Sequence, residues 1–332
     1  MVTLEDVARH AGVSLATASR VLNGSRRVGA TMRERVELAA AELGYQPNAT
    51  AQTLARGSSN VIGLVVHDLT DPYFAALADG AMRAADRHGL VVVVGTTYRD
   101  PEREIGYVST LRAQRVRVIL LAGSRIADQQ VTARLRAELA RYRDSGGRVA
   151  CIGQDLLGVD TIAPANRDGA AALARALARL GHTRFAILAG PPGLVTATDR
   201  TAGFAAALEQ LGLPAPRVVH SGFDRDGGYG AAREVIGTDV TCVFAVNDVM
   251  AVGALAALRG QGVNVPGDLS VAGFDDIATL RDLVPALTTV RLPLAEMGER
   301  ALELALGEST APGVERIEGE VILRTSTRSL TP

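Results

Sequence analysis

From residue 60 onward, short apolar runs alternate with segments whose apolar residues follow a helical period. Val61–Val66, Phe185–Ala189 and residues 242–246 are runs with the length of a strand. Continuous apolar strands that alternate with helices are typical of parallel, doubly wound sheets. The roughly ten predicted strands are too many for one small sheet, so we predict an α/β fold with two similar lobes. Ligands of such folds bind at the carboxyl ends of the strands, which here places a ligand between the lobes.

The composition excludes several classes of protein. Of the 332 residues, 47% are hydrophobic and 21% are charged, which is ordinary for a globular protein. No apolar run approaches the about 20 residues of a membrane helix, and the acidic, amphipathic N-terminus is unlike a secretory signal. The two cysteines, Cys151 and Cys242, are too few for a disulfide framework or a four-cysteine zinc site. We therefore expect a cytoplasmic protein, and not a transmembrane protein, a secreted mini-domain or a disordered tail.

The charge of the chain is distributed unevenly. All 35 basic residues are arginine, because the sequence contains no lysine. Residues 1–60 contain seven arginines and five acidic residues, an excess of +2 that leaves −3 for the rest of the chain. A small basic unit attached to a larger acidic body suggests an anionic partner for the first part only.

The first 46 residues predict three short helices. Thr3 and Thr31 are each followed three residues later by an acidic residue, the spacing of a capping box that begins a helix. Gly12 separates the first helix from the second, for which Ser14 is a suitable N-cap. Gly44 ends the third helix, as glycine commonly does. We therefore predict a small all-α head that precedes the α/β body.

The second of these helices, over residues 15–23, has an outward side that offers groups for DNA. This side consists of Leu15, Ala16, Thr17, Ser19 and Arg20. The hydroxyls of Thr17 and Ser19 can donate to phosphates, and the guanidinium of Arg20 can bind O6 and N7 of a guanine. Two helices joined by a tight glycine turn and supported by a third match a helix-turn-helix unit. The spacing alone fits a three-helix bundle without a ligand equally well, and the outward side favours DNA binding.

Three stretches near the N-terminus form a long and specific motif: VTLEDVARHAGVS at 2–14, TASRVLNG at 17–24 and GYQPN at 44–48. Together they closely resemble the DNA-binding domain of the lac repressor/galactose repressor family of bacterial transcription regulators. The resemblance implies that residues 1–46 bind a pseudo-palindromic operator in double-stranded DNA as part of a homodimer. It implies DNA contacts from Thr3, Ser14, Leu15, Ala16, Thr17, Ser19, Arg20, Asn23, Tyr45 and Asn48.

Residues 47–59 are predicted to form a hinge. A helix over 49–56 would have about two turns, well below the ~12–15 residues that a helix needs to be stable alone. In the resembled family this segment folds on DNA, and a leucine from each monomer enters the minor groove and kinks the duplex. Leu54, followed by Ala55, occupies that position. A plain linker is the alternative, and an exposed leucine favours the wedge.

The body, residues 60–332, resembles the periplasmic-binding-protein-like core of the same family. The matching motifs are DPYF at 71–74, LGH at 180–182, DRTAGF at 199–204, VNDVMA at 246–251, GFDD at 273–276 and LTTV at 287–290. The resemblance implies three crossings between the lobes, near 162, 291 and 320. The first lobe then comprises about 60–162 and 291–320, and the second lobe comprises about 163–290 and 321–332.

The resemblance and the strand ends supply the candidate effector-binding residues Asp71, Phe74, Gln154, Arg200, Phe223, Asn247 and Asp275. Arg200, which we expect at the start of a helix, offers a fork for hydroxyls or a carboxylate. We assign Asn247 to the ligand and Asp248 mainly to capping the next helix. For Phe223, packing in the core is an equal alternative. Carboxylate, amide and guanidinium groups beside aromatic walls are what a polyol needs, so we expect a sugar or a sugar derivative as effector.

Other interpretations are weaker. A purine or nucleoside is the second effector class. It ranks below a sugar because the purine-responsive branch has a stacking aromatic residue at the position of Gln154. No enzyme or cofactor is expected, since the five histidines lack metal-ligand spacing and the glycines at 190 and 193 lack the lysine of a phosphate loop. A solute-binding protein would share the body but not residues 1–59. No leucine heptads follow residues 321–327, so we expect a dimeric repressor, with tetramers through other contacts still open.

Overall fold

The computed structural model of the chain describes residues 2–22, 28–45, 59–307 and 311–330. The chain divides into two units, residues 1–60 with 114–117 and residues 61–113 with 118–332. Within the described ranges, no helix is both long enough and apolar enough to cross a membrane.

The N-terminal unit contains the helices α1 (Leu4–His10), α2 (Leu15–Leu22) and α3 (Ala30–Glu42). The predicted capping box is present at α1, where the amide of Asp6 donates to Oγ1 of Thr3 at 3.3 Å and the amide of Thr3 donates to Oδ2 of Asp6 at 2.9 Å. Oγ of Ser14 accepts from the amide of Thr17 at 3.1 Å and caps α2, as expected. Gly12 turns the chain between the two helices with a φ of +63°, a conformation that favours glycine.

The start of α3 differs from the prediction. The helix begins at Ala30, and Gly29 is its N-cap without a side-chain hydrogen bond, so the expected capping box at Thr31 is wrong. Glycine is nearly as good as threonine at an N-cap, because it reaches the extended backbone conformation easily. With this start, Val36 and Ala39 of α3 are buried in the apolar core of the unit.

The larger unit alternates strands and helices. Its strands are β1 (Val61–Val66), β2 (Val91–Thr96), β3 (Val118–Ala122), β4 (Arg148–Ile152), β5 (Asp160–Pro164), β6 (Phe185–Ala189), β7 (Arg217–His220), β8 (Cys242–Ala245), β9 (Ser270–Ala272), β10 (Thr289–Arg291), β11 (Val314–Ile317) and β12 (Glu320–Ile322). Its helices are α4 (Pro72–Arg87), α5 (Pro101–Ala113), α6 (Gln129–Asp144), α7 (Asn166–Arg179), α8 (Val195–Gln210), α9 (Arg225–Arg233), α10 (Asp248–Gly260) and α11 (Leu294–Leu306), with a 3-10 helix over Ala278–Asp282.

Two parallel sheets confirm the predicted α/β fold. The first lobe has the strand order β11-β5-β4-β3-β1-β2, and the second lobe has the order β7-β6-β8-β9. All strands within each sheet are parallel, and β10 pairs with β12 in a separate antiparallel ribbon. The chain leaves the first sheet after β5, returns after β10 to form α11, and leaves again after β11. These passages lie close to the positions 162, 291 and 320 that the resemblance implies.

The strand β2 lies at the edge of its sheet, although a continuous apolar run of this kind is typical of a buried strand. The side chain of Val91 is 61% exposed and that of Val93 is 47% exposed, because β2 has β1 as its single neighbour. A continuous run of valine is compatible with burial on both faces and with an apolar edge that another surface covers. The sequence alone does not distinguish these two situations.

Helices α4 and α11 pack closely in the first lobe through glycines. A Cβ atom on Gly80 of α4 would overlap the carbonyl oxygen of Ala295 in α11. A Cβ atom on Gly298 of α11 would overlap the carbonyl oxygen of Leu77 in α4. The two backbones therefore touch at positions where no larger residue can be accommodated without moving one helix.

We expect Gly80→Ala to lower the free energy of unfolding by about 3 kcal/mol, because the added methyl group forces the two helices apart. Gly106→Ala is the matched control, since a Cβ atom on this exposed glycine of α5 meets no neighbouring atom. The control should raise the stability by about 0.5–1 kcal/mol through helix propensity. Urea unfolding followed by circular dichroism measures both, and equal stabilities of the two variants would contradict the close contact.

Candidate functional site

A cavity of about 40 Å³ lies between the two lobes, where strands of both sheets end. The candidate effector residues that line it are Asp71, Phe74, Arg200, Phe223, Asn247 and Asp275. Its other lining residues are His67, Tyr73, Arg99, Gly123, Ser124, Gly153, Pro164, Asn166 and Thr196. Ligand pockets usually measure about 300–1,000 Å³, so a sugar would enter this cavity only if the lobes moved apart.

Arg200 is the most fully bonded residue of the cavity. Its guanidinium donates to Oδ1 of Asp275, to Oδ1 of Asn166 and to the carbonyl of Val246, each at 2.8 Å. The ring of Phe274 lies 3.8 Å from the guanidinium carbon and covers one face. We expected a residue at the start of a helix, but α8 begins five residues earlier and Arg200 is only 3% exposed.

Asp275 and the next residue, Asp276, are held in strained backbone conformations. Their φ angles are +121° and +58°, in a region that costs residues other than glycine about 1–3 kcal/mol each. Arg291 donates to Asp276 through Nε at 2.7 Å, and Nη2 of Arg324 lies 2.6 Å from the other carboxylate oxygen. Burial raises the pKa of Asp275 to about 6, while the neighbouring Arg200 opposes this shift.

Asn247 lines the cavity as we predicted, and it also caps the helix that we assigned to Asp248. Oδ1 of Asn247 accepts from the amide of Met250 at 2.8 Å, so Asn247 caps α10 while it also lines the cavity. Asp248 is completely buried, and its carboxyl accepts from the hydroxyl of Thr289 at 2.7 Å and from the amide of Ile277 at 3.0 Å. The assignment of the cap to Asp248 is therefore wrong, because this carboxyl joins α10 to two later segments.

Both aromatic candidates line the cavity. Phe74 is 4% exposed and meets the ring of His67 edge-on, with the ring centroids 5.8 Å apart. Phe223 is half-buried, and the guanidinium carbon of Arg99 lies 5.5 Å from its ring centroid. Asp71 caps α4 by accepting from the amide of Tyr73 at 2.9 Å, and burial raises the pKa of its carboxyl. A ligand would therefore meet two apolar rings and several polar groups.

Gln154 does not line the cavity. Its Oε1 accepts from the amide of Arg125 at 2.9 Å, and its Nε2 donates to the hydroxyl of Thr196 at 2.7 Å. Both ends of the amide thus join the segment after β3 in the first lobe to the start of α8 in the second. In this conformation Gln154 holds the lobes together, whereas we predicted an effector contact.

The lining residues that the sequence analysis missed include His67, Arg99 and Asn166. Nε2 of His67 donates to the carbonyl of Ser124 at 2.9 Å, so its Nδ1 accepts from the hydroxyl of Thr97 at 2.8 Å. Burial lowers the pKa of His67 to about 4, which leaves the ring neutral at pH 7. His67 directly follows β1, and Asn166 begins α7 shortly after β5. A position next to the end of a strand is the signal that could have identified both residues.

The N-terminal unit presents the outward side of α2 as predicted. Ala18 and Val21 are buried, while Ser14, Leu15, Ala16 and Arg20 are exposed. Thr17 and Ser19 are half-buried, Tyr45 packs partly against the core of the unit, and Thr3 belongs to the capping box. The DNA contacts expected from Asn23, Asn48, Leu54 and Ala55 lie outside the described residues.

In the described part of the chain, neither the two cysteines nor a cluster of metal-binding side chains indicates a reactive site. Cys151 in β4 and Cys242 in β8 are buried, and burial raises the pKa of both thiols. A buried thiol with a raised pKa is a poor nucleophile at neutral pH. No group of three or more His, Cys, Asp or Glu side chains among the described residues is placed to hold a metal ion.

Comparison with known proteins gives similarity over nearly the whole chain. Residues 3–48 match the family model of bacterial regulatory proteins, lacI family, and residues 174–327 match that of the periplasmic binding protein-like domain. The transcriptional regulator GalS of Salmonella typhimurium is 38% identical over 312 residues, which cover 92% of this chain and 89% of GalS.

Solved structures show the same similarity. The lac repressor dimer bound to operator and the anti-inducer ONPF superposes with a TM-score of 0.86 at 29% identity and covers 98% of this chain and 99% of its own. A complex of the transcriptional regulator CelR with cellobiose has a TM-score of 0.70 at 31% identity and covers 98% and 100%.

The carboxyl of Asp248 should make the stability depend on pH. Burial, assisted by the nearby charge of Asp275, raises the pKa of Asp248 to about 8. In the unfolded chain the same carboxyl has a pKa near 3.9. Between about pH 4 and pH 8 the unfolded chain has lost this proton and the folded chain retains it, so the free energy of unfolding falls as pH rises. Asp275 contributes in the same direction up to about pH 6.

In Asp248→Asn this decline should become shallower, because the variant side chain does not titrate. Urea unfolding at several pH values across this window measures the slope. Asp86→Asn, at an exposed position of α4, is the control and should keep the wild-type slope. An unchanged slope in Asp248→Asn would show that this carboxyl is already ionised in the folded protein.

Proposed function

This chain belongs to the lacI family of bacterial regulatory proteins and is a DNA-binding transcriptional regulator, and we propose that a sugar bound between its lobes controls its affinity for an operator. The observation that supports the effector site is the buried pair of Arg200 and Asp275, which lines a cavity at the strand ends of both sheets. We expect the protein to repress transcription of the genes that its operator controls. A protein that acts on DNA belongs in the cytoplasm, and we propose that location.

The proposed DNA-binding species is a homodimer that places two α2 helices in successive major grooves of a pseudo-palindromic operator. Arg20 would bind a guanine, and the exposed Leu15 and Ala16 offer apolar contacts for a thymine methyl group. The lac repressor dimer bound to operator supports this arrangement. The exposed valines of β2, Val91 and Val93, form an apolar edge that a second subunit could cover.

The predicted hinge, residues 47–59, is proposed to act at the centre of the operator. Leu54, followed by Ala55, would insert between two base pairs and bend the DNA, as apolar wedges in the minor groove do. Asn23, which precedes α3 in the sequence, and Asn48, which follows it, would also contact the DNA. These four residues lie outside the described residues, so their roles rest on the sequence motif.

The proposed effector is a polyol. Asp275, Arg200, Asn247 and Asn166 present acceptors and donors to the cavity, and Phe74 offers an apolar face for a sugar ring. The CelR–cellobiose complex supports a sugar in a protein of this kind. A purine or nucleoside is the alternative effector.

Effector binding is proposed to shift the equilibrium between two arrangements of the lobes. The cavity of about 40 Å³ is too small for a sugar, so the ligand must favour a conformation in which the lobes are arranged differently. Operator affinity changes through the same linkage, whichever direction the response takes. We propose no enzymatic activity, because Arg200 and Asp275 pair with each other and the similar proteins are regulators.

Arg20→Ala should weaken operator binding by about 1–3 kcal/mol and relax the preference at one base pair. Fluorescence anisotropy with a set of single-base operator variants measures this preference. Arg9→Ala removes an exposed arginine of α1 that pairs with Asp6, and it should leave the base preference unchanged. The same preference in Arg20→Ala as in the wild type would refute the assignment of Arg20.

A thermal-shift screen with sugars, sugar phosphates, nucleosides and purines should identify a stabilising sugar. A ligand at about 100 times its Kd adds about 2.7 kcal/mol to the stability of the folded state. The shift should disappear in Arg200→Ala and Asp275→Asn, and it should persist in Arg175→Ala, where an exposed arginine of α7 is removed. Stabilisation by purines alone would replace the sugar with the alternative effector class.

A further inference from the structure

A side pocket of about 220 Å³ adjoins the cavity between the lobes. His67, Arg99 and Ser124 line both spaces, so a ligand in the cavity can extend into the side pocket. The first lobe supplies most of the wall, and Pro191, Pro192 and Leu194 of the second lobe complete it. Both lobes therefore contribute residues to the side pocket.

Arg99 stands at the junction of the cavity and the side pocket without an acidic partner. Its Nη2 donates to the carbonyl of Phe223 at a long 3.4 Å, and its Nε is buried without a hydrogen-bond partner. None of the ion pairs found among the described residues includes Arg99. The backbone of Arg99 has a φ of +62°, and the preceding residue, Tyr98, also has a positive φ. Strained backbone of this kind is common where a side chain is held in place for a ligand.

Arg125 brings a second incompletely bonded guanidinium to the side pocket. It is 5% exposed, and its Nη1 forms the ion pair with Glu104. Its Nε and Nη2 are buried and have no hydrogen-bond partner. The thiol of Cys151 lies nearby, but a thiol is a weak acceptor for a guanidinium. Together, Arg99 and Arg125 have three buried nitrogens without a hydrogen-bond partner of good strength, and buried polar groups are normally paired.

The charges around the cavity favour this side for an anion. A second and wider opening, of about 500 Å³, is lined by Asp68, Asp71, Asp224 and Asp226 together with Arg99 and Arg225. In the side pocket, Glu104 is already paired with Arg125. Asp100 accepts from the amide of Glu102 at the start of α5. An anionic group would be repelled at the acidic opening and would find uncompensated donors in the side pocket.

We propose that the effector is an acidic sugar, whose carboxylate or phosphate group occupies the side pocket and is bound by Arg99 and Arg125. The polyol part then lies in the cavity against Arg200 and Asp275, as in the proposed function on which this inference rests. Guanidinium groups bind carboxylates and phosphates through paired hydrogen bonds, and both anions would satisfy the unpaired nitrogens. Arg99 thereby determines which sugars the protein recognises.

Isothermal titration of the full-length protein with matched sugars tests the proposal. The probes are galactose, galacturonate and galactose 6-phosphate, and glucose, glucuronate and glucose 6-phosphate. In at least one series, an acidic sugar should bind about tenfold more tightly than its neutral partner. A tenfold difference is about what one hydrogen bond to a charged group contributes to affinity. The uronates and the phosphates distinguish a carboxylate from a phosphate as the bound anion.

The variants assign the preference to Arg99. Arg99→Gln should reduce the ratio of acidic to neutral affinity to within about twofold, whereas Arg99→Lys, which keeps the charge, should retain most of it. Arg103→Gln is the matched control, because Arg103 is an exposed arginine that lies over Tyr98 and near Asp100 but lines neither space. It should keep the wild-type ratio.

Three results would overturn the proposal: neutral sugars that bind as tightly as their acidic partners, an unchanged ratio in Arg99→Gln, or no binding by any acidic probe. Operator binding without effector, measured in parallel, separates this inference from the proposed function. If the wild type binds an operator and responds to a neutral sugar, the proposed function stands and the acidic effector is wrong. If no probe changes operator binding, both fail.

Discussion

The ion pair between Arg200 and Asp275 is the interaction on which the site between the lobes depends. Both side chains are almost completely buried, and such a pair is stable only when its remaining donors and acceptors are also bonded. Asn166 and the carbonyl of Val246 complete the bonding of the guanidinium, and Phe274 covers its face. Arg200 belongs to α8, Asp275 follows β9 and Asn166 begins α7, so the pair forms only when these elements are packed together.

The acidic residues around this pair have different surroundings. Asp248 has a pKa of about 8 because it is buried beside another carboxyl, and it is therefore mostly protonated at neutral pH. Asp276, in contrast, lies between Arg291 and Arg324. These two arginines belong to β10 and to the segment after β12, close to the places where the chain passes between the lobes. A ligand that displaces Asp275 therefore acts directly beside those passages, which gives the proposed linkage a physical route.

Position after a strand predicted Asn247 and Asp275 of the cavity, and the family resemblance supplied Asp71, Phe74, Arg200 and Phe223. Asn247 and Asp275 follow buried apolar runs, and parallel strands bring their carboxyl ends to one edge. The depth of Arg200 and the burial of Asp248 against Thr289 and Ile277 were not predictable, because they depend on partners distant in the sequence. Arg99 follows an edge strand in a polar turn, where no local pattern indicates a ligand site.

The sequence by itself determined the three helices of the N-terminal unit, the caps of the first two, and the alternation of strands and helices in the body. Capping, helical period and strand alternation are local properties that neighbouring residues decide. Tertiary structure alone decided that β2 lies at an edge, that the short strands β5, β10 and β12 form near the passages, and that Gln154 joins the lobes. Burial and strand pairing depend on which distant segments meet, and that is a property of the packed molecule and not of any one segment.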